Sequence, residues 1–78
     1  MPLTVQDIRR TLLNTDPEFQ RLAQEHSRCE SQLEQIQKQA YLSSEDLTLE
    51  VTLKKVKLRL KDQMEQLVAR HQQELQQR

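Results

Sequence analysis

Two residues, His26 and Cys29, have types and a spacing that could do chemistry. They lie three positions apart, so one face of a helix would present an imidazole and a thiolate, which are both zinc ligands. A structural zinc site needs four ligands, and one chain cannot supply them because His71 is remote, although a symmetric dimer could contribute a pair from each copy. The ordinary prediction is that Cys29 is a small buried hydrophobe and His26 a polar residue of a helix contact, with no metal or cofactor.

The same pair does not predict a catalytic site. Both side chains fall on the predicted contact between two helices, where no loop is at hand to build an oxyanion hole. The carboxylates are spread over the other faces without forming an acid–base couple, and a helical hairpin offers little concave surface for a substrate. We therefore expect a protein that is not an enzyme.

Five cationic residues form the densest charge cluster, here called the basic cluster: Lys54, Lys55, Lys57, Arg59 and Lys61. Such a cluster is a candidate contact for nucleic acid, because lysine and arginine neutralise phosphates. At 100° per residue, however, the cluster divides between the two flanks of a helix, and it contains no aromatic residue for base stacking. We favour solvated flanking charges and keep weak nucleic-acid binding as the alternative. The counter-charges available on the preceding helix are Glu25, Glu30 and Glu34.

Three apolar residues, Leu47, Val51 and Leu58, form a further group, here called the outer stripe. They fall on the side of a predicted helix that faces away from its contact with the other helix. Neighbouring apolar residues on an outer face are typical of an interface, and a small core gains stability from self-association. We expect a homo-oligomer, a dimer or higher, that packs through this stripe. The alternatives are an unidentified protein partner, cover by the N-terminal segment, or chance exposure.

A heptad repeat predicts the helix that carries His26 and Cys29. Its seam residues recur at spacings of 3 and 4: Phe19, Leu22, His26, Cys29, Leu33, Ile36 and Ala40. An answering series follows: Leu49, Leu53, Val56, Leu60, Met64, Leu67, His71 and Leu75. The numbers of facing residues sum to 85 or 86 over six layers, as an antiparallel pair requires. The pattern predicts an all-α fold, an antiparallel, coiled-coil-like two-helix hairpin.

The N-terminal segment, residues 1–15, is predicted to form a short helical arm beside the hairpin of residues 16–78. Its helix spans about 4–13 and begins at a capping box made by Thr4 and Asp7. A helix this short is unstable alone, so it must dock. We expect the arm to cover the open end of the hairpin, whether on its own chain or on a second copy. The predicted contact joins Val5, Ile8 and Leu12 to Leu67, Val68, His71 and Leu75.

Two breaks bound the long helices of the hairpin. Asp16 is a predicted N-cap and Pro17 a favourable first helical residue, so the first long helix spans about 17–40. The turn follows at 41–43. Ser43 is able to cap a second long helix over about 44–76.

Composition narrows the class of protein. The chain has 78 residues, no glycine, one cysteine and a formal net charge of zero. Zero net charge argues against a dedicated nucleic-acid binder. No apolar stretch reaches the roughly 18 residues of a membrane span, and none predicts a signal peptide. A single unpaired cysteine fits a reducing compartment, so we expect a cytoplasmic protein without membrane contact.

Three stretches together resemble a known family. The first is Asp16-Pro17-Glu18-Phe19 with Leu22, Glu25 and His26, the second Tyr41-Leu42-Ser43 with Glu45 and Asp46, and the third Leu53-Lys54-Lys55 with Lys57, Leu58 and Leu60-Lys61-Asp62. Over about residues 16–68 the chain resembles the YdcH-like family, small bacterial proteins of unknown function that fold as long helical hairpins. The family often has proline where this chain has Ser44. The resemblance implies a bacterial cytosolic hairpin and carries over no catalytic or binding residue.

Overall fold

Three helices make up residues 4–76, the part of the chain that the computed structural model describes. They are α1 (Val5–Thr15), α2 (Pro17–Gln37) and α3 (Ser44–Gln76). No strand occurs within this range, so the all-helical fold class is confirmed. The molecule is elongated, with principal extents of 54 × 21 × 16 Å. The length of α3, 33 residues at a rise of about 1.5 Å each, sets the longest of these dimensions.

A capping box starts α1 at the position that the sequence predicts. The Thr4 hydroxyl accepts a hydrogen bond from the backbone N–H of Asp7 at 3.1 Å, and the Asp7 carboxylate accepts one from the Thr4 backbone N–H at 3.1 Å. The Thr4 hydroxyl also donates to that carboxylate at 2.9 Å. These bonds satisfy donors that a helix N-terminus would otherwise leave unpaired.

The capping box makes the stability of α1 dependent on pH. The backbone N–H of Thr4, and then its hydroxyl, hold the pKa of Asp7 below its ordinary value of 3.8. A folded-state pKa below the unfolded one stabilises the fold above the unfolded pKa, and the contribution is lost as pH falls through the folded pKa. We expect Asp7→Asn to melt below the wild type near pH 6 and the two to converge below pH 3.8, in thermal melts followed by circular dichroism. Asp62→Asn, at an exposed position, is the control. A gap between Asp7→Asn and the wild type that persists at about pH 2 would contradict this account.

Local capping also starts the two long helices. Asp16 accepts hydrogen bonds from the backbone N–H groups of Glu18 at 2.9 Å and Phe19 at 3.4 Å, with Pro17 in the first turn. Ser43 accepts from the Asp46 backbone at 3.1 Å, and the Asp46 carboxylate accepts in return from the Ser43 backbone at 3.2 Å. The starts of α2 and α3 therefore agree with the sequence-based boundaries.

The helix ends differ from those boundaries. α2 ends at Gln37, not near residue 40, and the connection to α3 covers residues 38–43 instead of 41–43. The last buried residue of α2 is Ile36, and the next seam position is Ala40, whose single methyl group offers little apolar surface for a further turn to bury. Ala40 is exposed, and Leu42 is the connection residue that packs against the core. α1 runs two residues further than predicted, to Thr15, because the backbone N–H of Asp16 still bonds to Leu12 O at 2.8 Å.

All three helices contribute to one hydrophobic core. The buried residues are Ile8 and Leu12 of α1, Phe19, Leu22, Cys29, Leu33 and Ile36 of α2, and Leu53, Leu60, Met64 and Val68 of α3. In this structure α1 packs on its own chain, and Arg9 Nη2 lies 3.8 Å from Glu65 Oε1 across the contact between α1 and α3. The arm thus lies against the later half of α3, although Val5 and Leu75 stay exposed.

The buried face of α3 departs from the predicted seam. Val68 is buried, while Leu67 is only partly so. Leu60, Met64 and Val68 follow each other at four-residue steps of about 400°, so the buried face rotates by about 40° per step toward α1. At the other end Leu49 and Val56 are 46% and 39% exposed, so the predicted layers that contain them are not fully buried.

Candidate interaction surface on α3

The outer stripe lies open on α3. Leu47, Val51 and Leu58 are 50%, 51% and 60% exposed. At 100° per residue they occupy one face of the helix, turned about 140° from the buried face around Leu53 and Leu60. α1 docks elsewhere and leaves the stripe uncovered. Large apolar side chains grouped in this way are candidates for contact with another protein.

The basic cluster is divided, as the helical periodicity predicts. Lys54, Lys57 and Lys61 lie on the side of α3 next to α2, where they line a shallow groove between the two helices. Lys55 and Arg59 lie outside this groove. Lys57 Nζ lies 3.6 Å from Glu30 Oε1 of α2, and Lys54 Nζ lies 3.7 Å from Glu50 Oε1 of its own helix.

Glutamates reduce the positive charge of the basic cluster. Of the counter-charges expected from sequence, Glu30 contacts the cluster, whereas Glu25 pairs with Arg21 at 3.2 Å. Sequence reasoning missed Glu50, although its position four residues before Lys54 is the signal for an ion pair on a helix surface. Within residues 4–76, no carboxylate lies within 4.0 Å of the cationic nitrogens of the remaining cluster residues. These are Lys55, Arg59 and Lys61.

The groove between α2 and α3 has a volume of about 400 Å³. Leu33 and Leu58 give it apolar patches, and its rim carries Lys57 and Lys61 on α3 against Glu30 on α2. Both signs of charge are therefore present on the rim, so the groove does not favour a strongly anionic or cationic ligand.

His26 and Cys29 do not converge on a shared partner. Cys29 is buried with a free thiol. His26 is half-buried at the groove, where its Nδ1 lies 3.2 Å from Glu30 Oε1. Among the side chains of residues 4–76, no three histidines, cysteines or acidic residues lie together in a group that could hold a metal ion.

None of the three helices in residues 4–76 is long and apolar enough to cross a membrane.

A family model described as "Protein of unknown function (DUF465)" matches residues 19–68. The chain belongs to the DUF465 family. YdcH-like proteins are members of this family, so the resemblance seen in the sequence is confirmed. The DUF465 match includes the outer stripe and the basic cluster, and it leaves α1 outside. Comparison with curated proteins gave no significant match, and comparison with solved structures gave none either.

Proposed function

We propose that this DUF465 protein is a non-enzymatic interaction module, a small adaptor that self-associates through the outer stripe. The observation that carries the proposal is the half-exposed row of Leu47, Val51 and Leu58 on one face of α3. Water contact with three large apolar side chains is unfavourable by roughly 25 cal/mol per Å² of apolar surface. Packing against a second helix would remove that surface from water.

The scaffold that presents the stripe is, in this proposal, an antiparallel hairpin of α2 and α3. Two contacts support it. Glu18, at the start of α2, lines the same crevice as Arg70 late in α3, and Glu30 of α2 pairs with Lys57 earlier in α3. The contacts therefore run along the two helices in opposite order, as the facing seams predict.

The small core and the free thiol of Cys29 bear on stability and on the cellular compartment. A small hydrophobic core supplies little net stability, and self-association adds buried apolar surface without a metal or a disulfide. The thiol of Cys29 is unpaired and buried, which suits a reducing compartment, so we place the module in the cytoplasm. We further propose that the module acts as an adaptor, without catalytic activity and without a cofactor.

Replacing the outer stripe by charge should abolish self-association. We expect the wild type to scatter light as a dimer or larger species of the 9.3-kDa chain at about 1 mM, and Val51→Glu/Leu58→Glu to be a folded monomer. Charged side chains in a desolvated helix contact are expected to weaken association by on the order of 100-fold or more.

Thr52→Glu/Gln63→Glu is the matched control, because it adds the same charge to exposed positions of α3 outside the stripe. Circular dichroism checks that every variant keeps its helix content. A wild type that is monomeric at all concentrations, and unaffected by the substitutions, would refute self-association.

Nucleic-acid binding through the basic cluster is the alternative, favoured by the three cluster residues without a nearby carboxylate. Titration with duplex DNA distinguishes the two functions. Phosphate contacts would weaken steeply between low and physiological salt, and Lys54→Glu/Lys57→Glu/Lys61→Glu would abolish them. Helix packing would instead survive salt and fail with Leu58→Glu.

A further inference from the structure

Lys54 joins the outer stripe to make a second heptad seam on α3. Leu47, Val51, Lys54 and Leu58 follow one another at spacings of 4, 3 and 4, which is the spacing of residues that pack along a partner helix. The Lys54 side chain is 58% exposed, and its Nζ lies 3.7 Å from Glu50 Oε1. The seam therefore contains three apolar positions and one cation with an acidic neighbour.

We infer that two copies of the chain pack these seams against each other in antiparallel orientation. Leu47 then faces Leu58 of the second copy, and Val51 faces Lys54 of the second copy, about a two-fold axis at the level of residues 52 and 53. This inference rests on the proposed self-association and specifies its geometry. The contact is isologous, as is usual for a closed dimer.

The charge of Lys54 selects the antiparallel orientation. In a parallel, in-register pair the two copies of Lys54 would meet within the contact, where like charges are destabilising. In the antiparallel pair the aliphatic stem of Lys54 lies on Val51 of the second copy, and its ammonium points outward. The two-fold axis is perpendicular to the plane of the two helices, so residues on one side of the seam meet residues on the same side in the second copy. Lys54 and Glu50 lie on the same side of the seam, so Lys54 also approaches Glu50 of the second copy.

The register follows from the neighbours of the seam. In the register shifted by one heptad toward the N-termini, the only seam residues that meet are Leu47 and Val51. Leu58 is then left without an apolar partner. Sliding the helices the other way places Leu58 against Lys54, Val51 against Lys61 and Leu47 against Glu65. Pairing Leu47 with Leu58 is therefore the heptad register in which every seam residue meets another seam residue.

The extent of the seam sets the strength of the contact. From Leu47 to Leu58 it rises about 17 Å, or three helical turns, and the next seam positions are the charged residues Lys61 and Glu65. A stable interface buries about 800 Å² per partner, which so short a seam does not reach by itself. We expect a monomer–dimer equilibrium that depends on concentration.

Disulfide trapping tests the orientation and the register directly. Leu47→Cys and Leu58→Cys chains, both with Cys29→Ala, are mixed under reducing conditions at about 1 mM, oxidised, and digested for mass spectrometry. A bridge forms only where the two Cα atoms come within about 7 Å. We expect the 47–58 bridge to exceed the 47–47 and 58–58 bridges at least fivefold, and to exceed the 47–51 bridge from a separate mixture of Leu47→Cys and Val51→Cys chains.

The possible outcomes separate this inference from the proposed function. Predominant 47–47 and 58–58 bridges indicate a parallel pair, predominant 47–51 bridges indicate the register shifted by one heptad, and yields no higher than those of a Thr52→Cys control indicate another surface. Each overturns the inference, while loss of dimer in Val51→Glu/Leu58→Glu would still uphold self-association through the stripe. A monomeric wild type would refute both. A duplicate series that retains the buried Cys29 keeps the test valid if Cys29→Ala unfolds the chain.

Discussion

Phe19→Ala should lower the free energy of unfolding by about 3–5 kcal/mol, the usual loss when a buried phenylalanine is truncated. Phe19 is 1% exposed and is among the largest fully buried side chains. It lines the crevice where α1 contributes Arg9 and Leu13 and α3 contributes Met64. A cavity at this point removes packing from all three helices at once. Since a domain of this size has a total stability of only about 5 kcal/mol, we expect a largely unfolded protein near 37 °C.

Urea unfolding followed by circular dichroism measures the loss. Tyr41→Ala is the control, because it removes an aromatic side chain that is 91% exposed, and its midpoint should stay close to that of the wild type. All samples are compared at one concentration, because self-association raises the apparent stability as concentration rises. Equal effects of the two substitutions would contradict the three-helix core around Phe19.

Ile8→Ala should cost about 2–4 kcal/mol, although Ile8 lies outside the segment that the family model matches. Its side chain is 1% exposed, and α1 has only 11 residues, too few to be helical without docking. Loss of this anchor should free the arm and expose the part of α3 that it covers. Hydrogen exchange should then show faster exchange throughout α1, and urea unfolding a lower midpoint for the whole chain.

Leu13→Ala is the matched control for the arm, because Leu13 is on the same helix and is 45% exposed. We expect a loss of less than about 1 kcal/mol there. An Ile8→Ala variant with unchanged exchange in α1 would show that the arm does not depend on this contact. An unchanged midpoint for the rest of the chain would show that α2 and α3 do not need the arm.

The outer stripe and the core face lie on different sides of α3 and follow different courses along it. The core face must meet α2 and α1, so it rotates along the helix from Leu53 to Val68. The stripe keeps one face over three turns, as packing on a single straight partner helix would require. Its position within the DUF465 segment places the proposed self-association in the matched region, outside α1.

The helix starts and the composition of the surface were determined by the sequence alone. Capping by Thr4, Asp16 and Ser43 depends on hydrogen bonds within four residues, so these starts could be read directly. The heptad spacing identified most of the buried face of α2, since a rigid helix fixes which side chains share a face. The exposed stripe on α3 could be placed for the same reason.

Only the tertiary structure decided where α2 ends, which residues of α3 are buried, and where the arm docks. Each of these depends on a surface supplied by a distant part of the chain. α2 stops at Gln37, three residues before the predicted end, and Val68 is buried where Leu67 was the predicted seam residue. Leu49 and Val56 remain half-exposed, although their spacing is that of seam residues, because periodicity gives the direction of a side chain and not the presence of a neighbour to cover it.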